Sequence, residues 1–249
     1  MTTVAIAAVG LVIGSFLNVV IARLPEHRSL WMPRSACPTC GAAIAWRDNI
    51  PVLSFVLLRG RCRACAGRIS ARYPLVEAAT AALFLGAGTR FGIGREFAIA
   101  AILLAALVTI TVIDLDHQII PDAITLPGIV AGFLANVAAG RLSWTDSLLG
   151  IGLGGGVFFA IILASSGGMG GGDMKLGAML GAFLGWKLTL VALFTAVIVG
   201  GLVAVAMLLS GRKGRKDLIP FGPFLALGGA AALFWGERWL TWYWDVFSG

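Results

Sequence analysis

Long apolar blocks alternate with short polar stretches along this chain. The blocks run Val4–Ala22, Leu75–Phe91, Phe97–Ile113, Ile124–Ala139, Leu148–Ala164, Leu176–Trp186, Leu188–Leu209 and Phe221–Trp235. Most approach the roughly 17–25 residues a helix needs to cross a hydrocarbon core. In lipid every backbone N–H and C=O must be paired within its own segment, so the pattern predicts helices. The sixth block is short, and it predicts a tilted or re-entrant helix or one part of a broken span. Eight crossings is the count the pattern favours, with seven as the alternative. The first block has no basic segment before it and an arginine-rich one after it, so it is expected to stay as a membrane anchor.

Composition supports an all-α, polytopic membrane protein. Hydrophobic residues make up 59% of the chain and charged residues 12%, with a mean hydropathy of +0.93. Soluble domains hold roughly 45–50% apolar and about 25% charged residues. Disorder is excluded by the low charge, and a single soluble core could not bury this much apolar surface.

Charge placement gives a direction. The segment 23–72 holds nine arginines against two acids, Glu26 and Asp48. Lys175 and the run Arg212, Lys213, Arg215, Lys216 fall on the same side in an eight-span reading, whereas Arg90, Arg95, Arg141, Lys187 and Arg238 fall on the other. The positive-inside rule then puts the N-terminus outside and the arginine-rich loop in the cytosol. The net charge of +7 follows from that bias, so no nucleic-acid partner is expected; the basic loops suit anionic lipid headgroups. The expected organisation is a first helix over 1–22, a cytosolic loop over 23–72 and a transmembrane domain over 73–249. Gly152–Gly156, inside an apolar block, is expected to let helices approach closely.

All four cysteines lie in the loop, as Cys37-Pro-Thr-Cys40 and Cys62-Arg-Ala-Cys65. Two C-x-x-C knuckles separated by some twenty residues suit four thiolates around one structural Zn²⁺. A reducing cytosol disfavours the alternative of two disulfides.

Acids are scarce, and several sit at block edges. Asp114, Asp116 and Asp122 follow the third block within Ile113-Asp-Leu-Asp-His-Gln-Ile-Ile-Pro-Asp122; Asp173 follows Gly170-Gly-Gly172 and precedes Lys175. Two spans separate Asp114 from Asp173, so both belong on the same, cytosolic boundary, where they could meet. Two adjacent carboxylates share a proton, which gives one base and one acid for peptide hydrolysis. The glycines before Asp173 would let a substrate strand approach the backbone. On the residues alone a second reading stays open: solvated interfacial acids, with Asp173 as a helix cap.

Gly170-x-Gly172-Asp173 with an upstream membrane-edge aspartate resembles the GxGD aspartic peptidases, and more specifically the bacterial type IV prepilin peptidases (leader peptidase/N-methyltransferase). The matching stretches are Gly14–Pro25, both cysteine knuckles, Asn49–Ser54, Leu58–Cys62, Ile69–Glu77, Ile113–Pro127, Gly168–Lys175 and Ile219–Ala226. The resemblance implies Asp114 and Asp173 as the catalytic pair, since Asp114 stands seven residues before Pro121 in the family's D-x6-P spacing. Asp116, Asp122, Gly170, Gly172 and Lys175 become supporting residues, and His117 structural. Two positions depart from the pattern: Gly171 replaces a frequent aromatic, and Ala66 a frequent glycine.

By the same resemblance, the substrate is a type IV prepilin or a type II secretion pseudopilin, cut after the glycine that ends its leader at the cytosolic face of the inner membrane. The new N-terminus is then N-methylated with S-adenosylmethionine, an activity associated with the loop, for which no residue is singled out. Asn18 and Glu77 are expected to make interhelical hydrogen bonds, with a role near the loop or the substrate as the alternative. A proton-coupled transporter and a noncatalytic pilus-assembly scaffold are the rival readings; a transporter would want its acids near the bilayer midplane.

Overall fold

Each apolar block becomes helix, to within one residue at its ends. The computed structural model describes residues 2–164, 170–211 and 219–247. The basic run Arg212–Lys216 and the glycines at 167 and 168 lie outside the described residues. The α-helices are α1 (Thr2–Arg23), the short α2 (Leu53–Leu57), α3 (Arg72–Phe91), α4 (Arg95–His117), α5 (Asp122–Ala139), α6 (Trp144–Ala164), α7 (Gly171–Leu209) and α8 (Gly222–Phe247). There is no named strand among the described residues, only two isolated bridges in the cysteine loop. Among the described residues, five helices, α1, α4, α5, α6 and α7, are long and apolar enough to cross a membrane by length and composition. Many of their large apolar side chains face outward, among them Val4, Leu134, Phe194 and Leu202, as expected of helices solvated by lipid. The helices gather into two compact units, Met1–Ile93 and Gly94–Gly249.

In the first unit α1 packs antiparallel on α3. Gly10 lies against Ala81 and Gly14 against Glu77, where a Cβ on either glycine would stand 2.6 or 2.7 Å from a backbone atom. The buried Asn18 donates from Nδ2 to the Tyr73 carbonyl of α3 at 3.0 Å, the interhelical bond expected of it. Glu77, also expected to bond between helices, faces the Ser15 side chain of α1 and reaches the loop as well: its Oε2 accepts the Val52 N–H at 2.7 Å. At the end of α1, Arg23 is buried and ties the loop down through the Ser29 and Pro33 carbonyls.

The second unit is built around α7. Its 39 residues are interrupted by a break at Gly185 (φ 73°, ψ 169°), a positive-φ conformation that favours glycine. The neighbours of its two arms show that the chain reverses there. Along the first arm, Met179 and Phe183 lie against Gly128 and Gly132 of α5, so that arm runs parallel to α5. Along the second arm, Leu188 lies against Gly236 and Gly200 against Phe224, so that arm runs antiparallel to α8. The short sixth block is thus the first leg of a helical hairpin. In the glycine-rich segment of α6, Gly154 meets Gly177 backbone to backbone, as does Gly150 with Gly181 just before it, while Gly152 and Gly156 face open space.

The reversal leaves carbonyls at the end of the first arm without helical partners. Three side chains supply them. Asn136, fully buried, donates to the Ala182 and Phe183 carbonyls at 3.1 and 3.2 Å. Ser147 Oγ donates to Ala182 at 3.0 Å, and Arg141 Nη1 to Phe183 at 3.0 Å. Burial pushes the Arg141 guanidinium below its ordinary pKa, and the charges of Glu96 and Glu237 oppose that shift. Leaving buried acceptors unpaired costs about 1–3 kcal/mol each, so this cap holds the first arm of α7 at its far end.

Candidate active site and metal centre

Four helix ends meet at the opposite end of the second unit. Helix α4 stops after His117 because Gln118 takes a left-handed conformation (φ 55°), its N–H bonding the Asp114 carbonyl at 2.9 Å; Pro121 prevents continuation. Helix α7 starts at Gly170-Gly-Gly172, and Asp173 falls in its first turn. Asp114 is 5% exposed, whereas Asp116 and His117 are exposed. The carboxylates of Asp114 and Asp173 are near enough for the charge on one to act on the other.

Helix N-termini supply partial positive charge to both. Asp173 sits on the first turn of α7. Asp114 Oδ2 accepts the N–H of Gly222, the first residue of α8, at 2.9 Å in a buried bond. Gly222 lies within a stretch that matches the family, yet no role was expected of it. A signal existed nonetheless: Gly222-Pro223 after a polar segment marks a helix start, with proline inside the first turn.

The flanking residues expected to support the pair are distributed as follows. Lys175 Nζ bonds both oxygens of Asp122 at 2.7 Å, joining the starts of α5 and α7. Gly172 lies against Ile120, where a Cβ would stand 2.8 Å from the isoleucine Cβ. Gly170 is the exposed N-cap of α7, and its Cβ position is nearly free. Gly171, the departure from the family pattern, faces open space.

In the first unit, Cys37, Cys40, Cys62 and Cys65 converge, with their sulfur atoms within 4.8 Å of one another. Cys37 Sγ stands 3.9 Å from Cys65 Sγ; a tetrahedron with Zn–S bonds of about 2.3 Å has edges of about 3.8 Å. The residues therefore fit a four-thiolate metal ion. Two similar turns make the cradle: Gly41 N–H to Cys37 O and Ala66 N–H to Cys62 O, each at 2.9 Å. Gly41 and Ala66 both have positive φ, 72° and 56°. The second turn thus places an alanine where glycine would be unstrained. Backbone N–H groups of Cys40 and Thr39 hold the Cys37 thiol down to about 6, which favours the thiolate a metal needs. Arg63, inside the second knuckle, grips Asp48 of the segment between the two through Nε and Nη2 at 2.7–3.0 Å and holds that carboxyl below its usual range.

Comparison with known proteins gives a consistent result. Residues 8–91 match the family model described as the bacterial peptidase A24 N-terminal domain, and residues 101–205 match the type IV leader peptidase family. A relative from Aeromonas hydrophila is 40% identical over 94% of this chain and 90% of its own length. One from Bacillus subtilis (strain 168) is 39% identical over 94% of each. Both are named prepilin leader peptidase/N-methyltransferase. No solved structure matches this chain.

Proposed function

This chain belongs to the type IV leader peptidase family, and from that premise we propose that it removes the leader of type IV prepilins or type II secretion pseudopilins and then N-methylates the new N-terminus. The observation that carries the peptidase reading is the pairing of Asp114 and Asp173 at the starts or ends of packed helices, with the Gly222 N–H fixed on Asp114. A transporter would hold its acids midway along its helices; these stand at helix ends.

In this reading the two carboxylates act on one water molecule and retain one proton between them, as adjacent carboxylates do. The ionised member takes a proton from a water molecule as that water attacks the scissile carbonyl. The protonated member donates to the carbonyl oxygen; the first carboxyl then passes the water's proton to nitrogen, the C–N bond breaks, and the re-forming carbonyl returns its proton to the second carboxylate. The N-termini of α7 and α8 favour a single negative charge on the pair. Lys175–Asp122 holds the two helix starts around the site, and Gly172 lets Ile120 close beside Asp173.

The four cysteines are read as ligands of one zinc ion, which would supply folding free energy to the loop; four thiolates leave it no open position for chemistry. S-adenosylmethionine is the methyl donor in this reading. The arginine distribution puts the loop and the carboxylates at the cytosolic face of the inner membrane, with eight crossings when the α7 hairpin counts as two. The division of labour follows: an anchor over 1–22, the metal loop over 23–72 and the peptidase helices within 73–249.

Mass spectrometry of a co-expressed prepilin tests both activities, since leader loss and a methyl mass increment report them separately. Intact precursor beside well-expressed protein would refute the reading.

A further inference from the structure

One buried carboxylate has no part in the peptide cleavage. The first unit contains three acids. Two are ion-paired: Glu26 with Arg28 at 3.0 Å and Asp48 with Arg63 at 2.7 Å. Glu77 is 7% exposed and has no cationic partner among the described residues. Its neighbours are neutral donors: the Val52 N–H at 2.7 Å and the Ser15 side chain. Val52 adopts φ 59°, ψ −48° at this contact, a positive-φ conformation unusual for a β-branched residue.

A second acceptor lies one turn away on the same α1–α3 seam. Asn18 is 5% exposed, and its Nδ2 is used by the Gly14 and Tyr73 carbonyls, but its Oδ1 has no partner. Buried acceptors without donors are rare, because each forfeits its hydration. The seam thus holds a carboxyl with no cationic partner among the described residues and an unpaired carbonyl, and a protonated amine would bring what both lack: positive charge and several N–H donors.

Resting on the methyl-transfer reading above, we propose that Glu77 receives the newly exposed α-amino group of the processed pilin and accepts its proton during N-methylation, with Asn18 Oδ1 as a second acceptor for that group. An ammonium nitrogen has no lone pair, so it must lose a proton before it can attack. The freed lone pair forms an N–C bond to the methyl carbon of a sulfonium donor. The C–S bond breaks, its electron pair stays on sulfur, and the donor leaves as a neutral thioether. The proton released from nitrogen resides on the Glu77 carboxyl and passes to water.

Glu77→Gln separates this role from a structural one. Glutamine keeps an oxygen for the Val52 N–H but carries no charge and takes up no proton. Co-expressed with prepilin, E77Q should cleave the leader at the wild-type rate and bind metal as wild type does, while methylation falls about 100-fold or more, the usual share of a general base. Binding gives an independent readout. A peptide copying the processed N-terminus with a free amine should bind E77Q more weakly than wild type, its N-acetylated form should bind both alike, and S-adenosylmethionine binding should be unchanged. Wild-type methylation by E77Q, or loss of donor binding in place of peptide binding, would overturn the proposal. Wild-type protein that cleaves but never methylates would refute the methyl-transfer reading itself, and this inference with it.

Discussion

Gly222→Ala tests the arrangement of the carboxylates without removing either of them. A Cβ at this position would stand 2.6 Å from Asp114 Oδ2 and 3.1 Å from its Cγ, where ordinary contact begins at 3.4 Å. The carboxylate must therefore retreat by about 0.8 Å, which lengthens or breaks its 2.9 Å bond from the Gly222 N–H. A hydrogen bond to a charged group contributes roughly 1.5–3 kcal/mol. Misplacement of a reacting group on this scale costs up to about 100-fold in rate. Together these predict a fall in kcat/KM of roughly 10- to 100-fold, measured by leader cleavage of purified prepilin in detergent or nanodiscs. Alanine is the better helix former, so lost helicity in α8 is not the expected cause. Gly171→Ala is the matched control, because its Cβ would meet nothing within 4 Å, and it should cleave at the wild-type rate. Wild-type turnover by well-expressed G222A would refute the proposed fixing of Asp114 by the start of α8.

Asp114→Asn and Asp173→Asn should each abolish cleavage while the protein still inserts, and Asp116→Asn should weaken it less; full cleavage by D173N would end the aspartic mechanism. Purified protein should carry about one zinc per chain by elemental analysis, and replacing one cysteine in each knuckle should release it and open the loop to protease. Methylation should then suffer more than cleavage; metal-free protein with a protease-resistant loop would refute the zinc assignment. Asn136→Leu should destabilise the helices by about 0.5–1.5 kcal/mol for each hydrogen bond lost, seen as a lower Tm in detergent, because the Ala182 and Phe183 carbonyls each lose one of their two buried side-chain donors. Ala66→Gly should leave the loop as protease-resistant as wild type, or more so, since glycine holds φ 56° without strain; a loop opened by that change would refute the account of the second knuckle.

What could be read from the sequence was local or periodic. Apolar blocks foretell helices because lipid offers the backbone no other partners, and all eight blocks are helical. Four cysteines in two short motifs foretell their own convergence, since each pair is held by a single turn. The family resemblance singled out Asp114 over Asp116 by its spacing to Pro121; in the structure Asp114 is buried and Asp116 exposed. Parity along the chain also brought Asp114 and Asp173 to one end, because it depends only on how many helices lie between them.

Tertiary structure alone decided the contacts that join distant segments. The short block Leu176–Trp186 was ambiguous because composition does not say whether the chain continues or reverses at Gly185; packing against α5 and α8 shows the reversal. The Gly222 N–H reaches Asp114 across 108 residues, and no periodicity records such a bond. The same holds for Asn136, Arg141 and Ser147 on the α7 carbonyls, and for Glu77 on the Val52 N–H. A backbone donor or acceptor is identical at every residue type, so the sequence carries no mark of which one a buried side chain will find; only the packed helices select it.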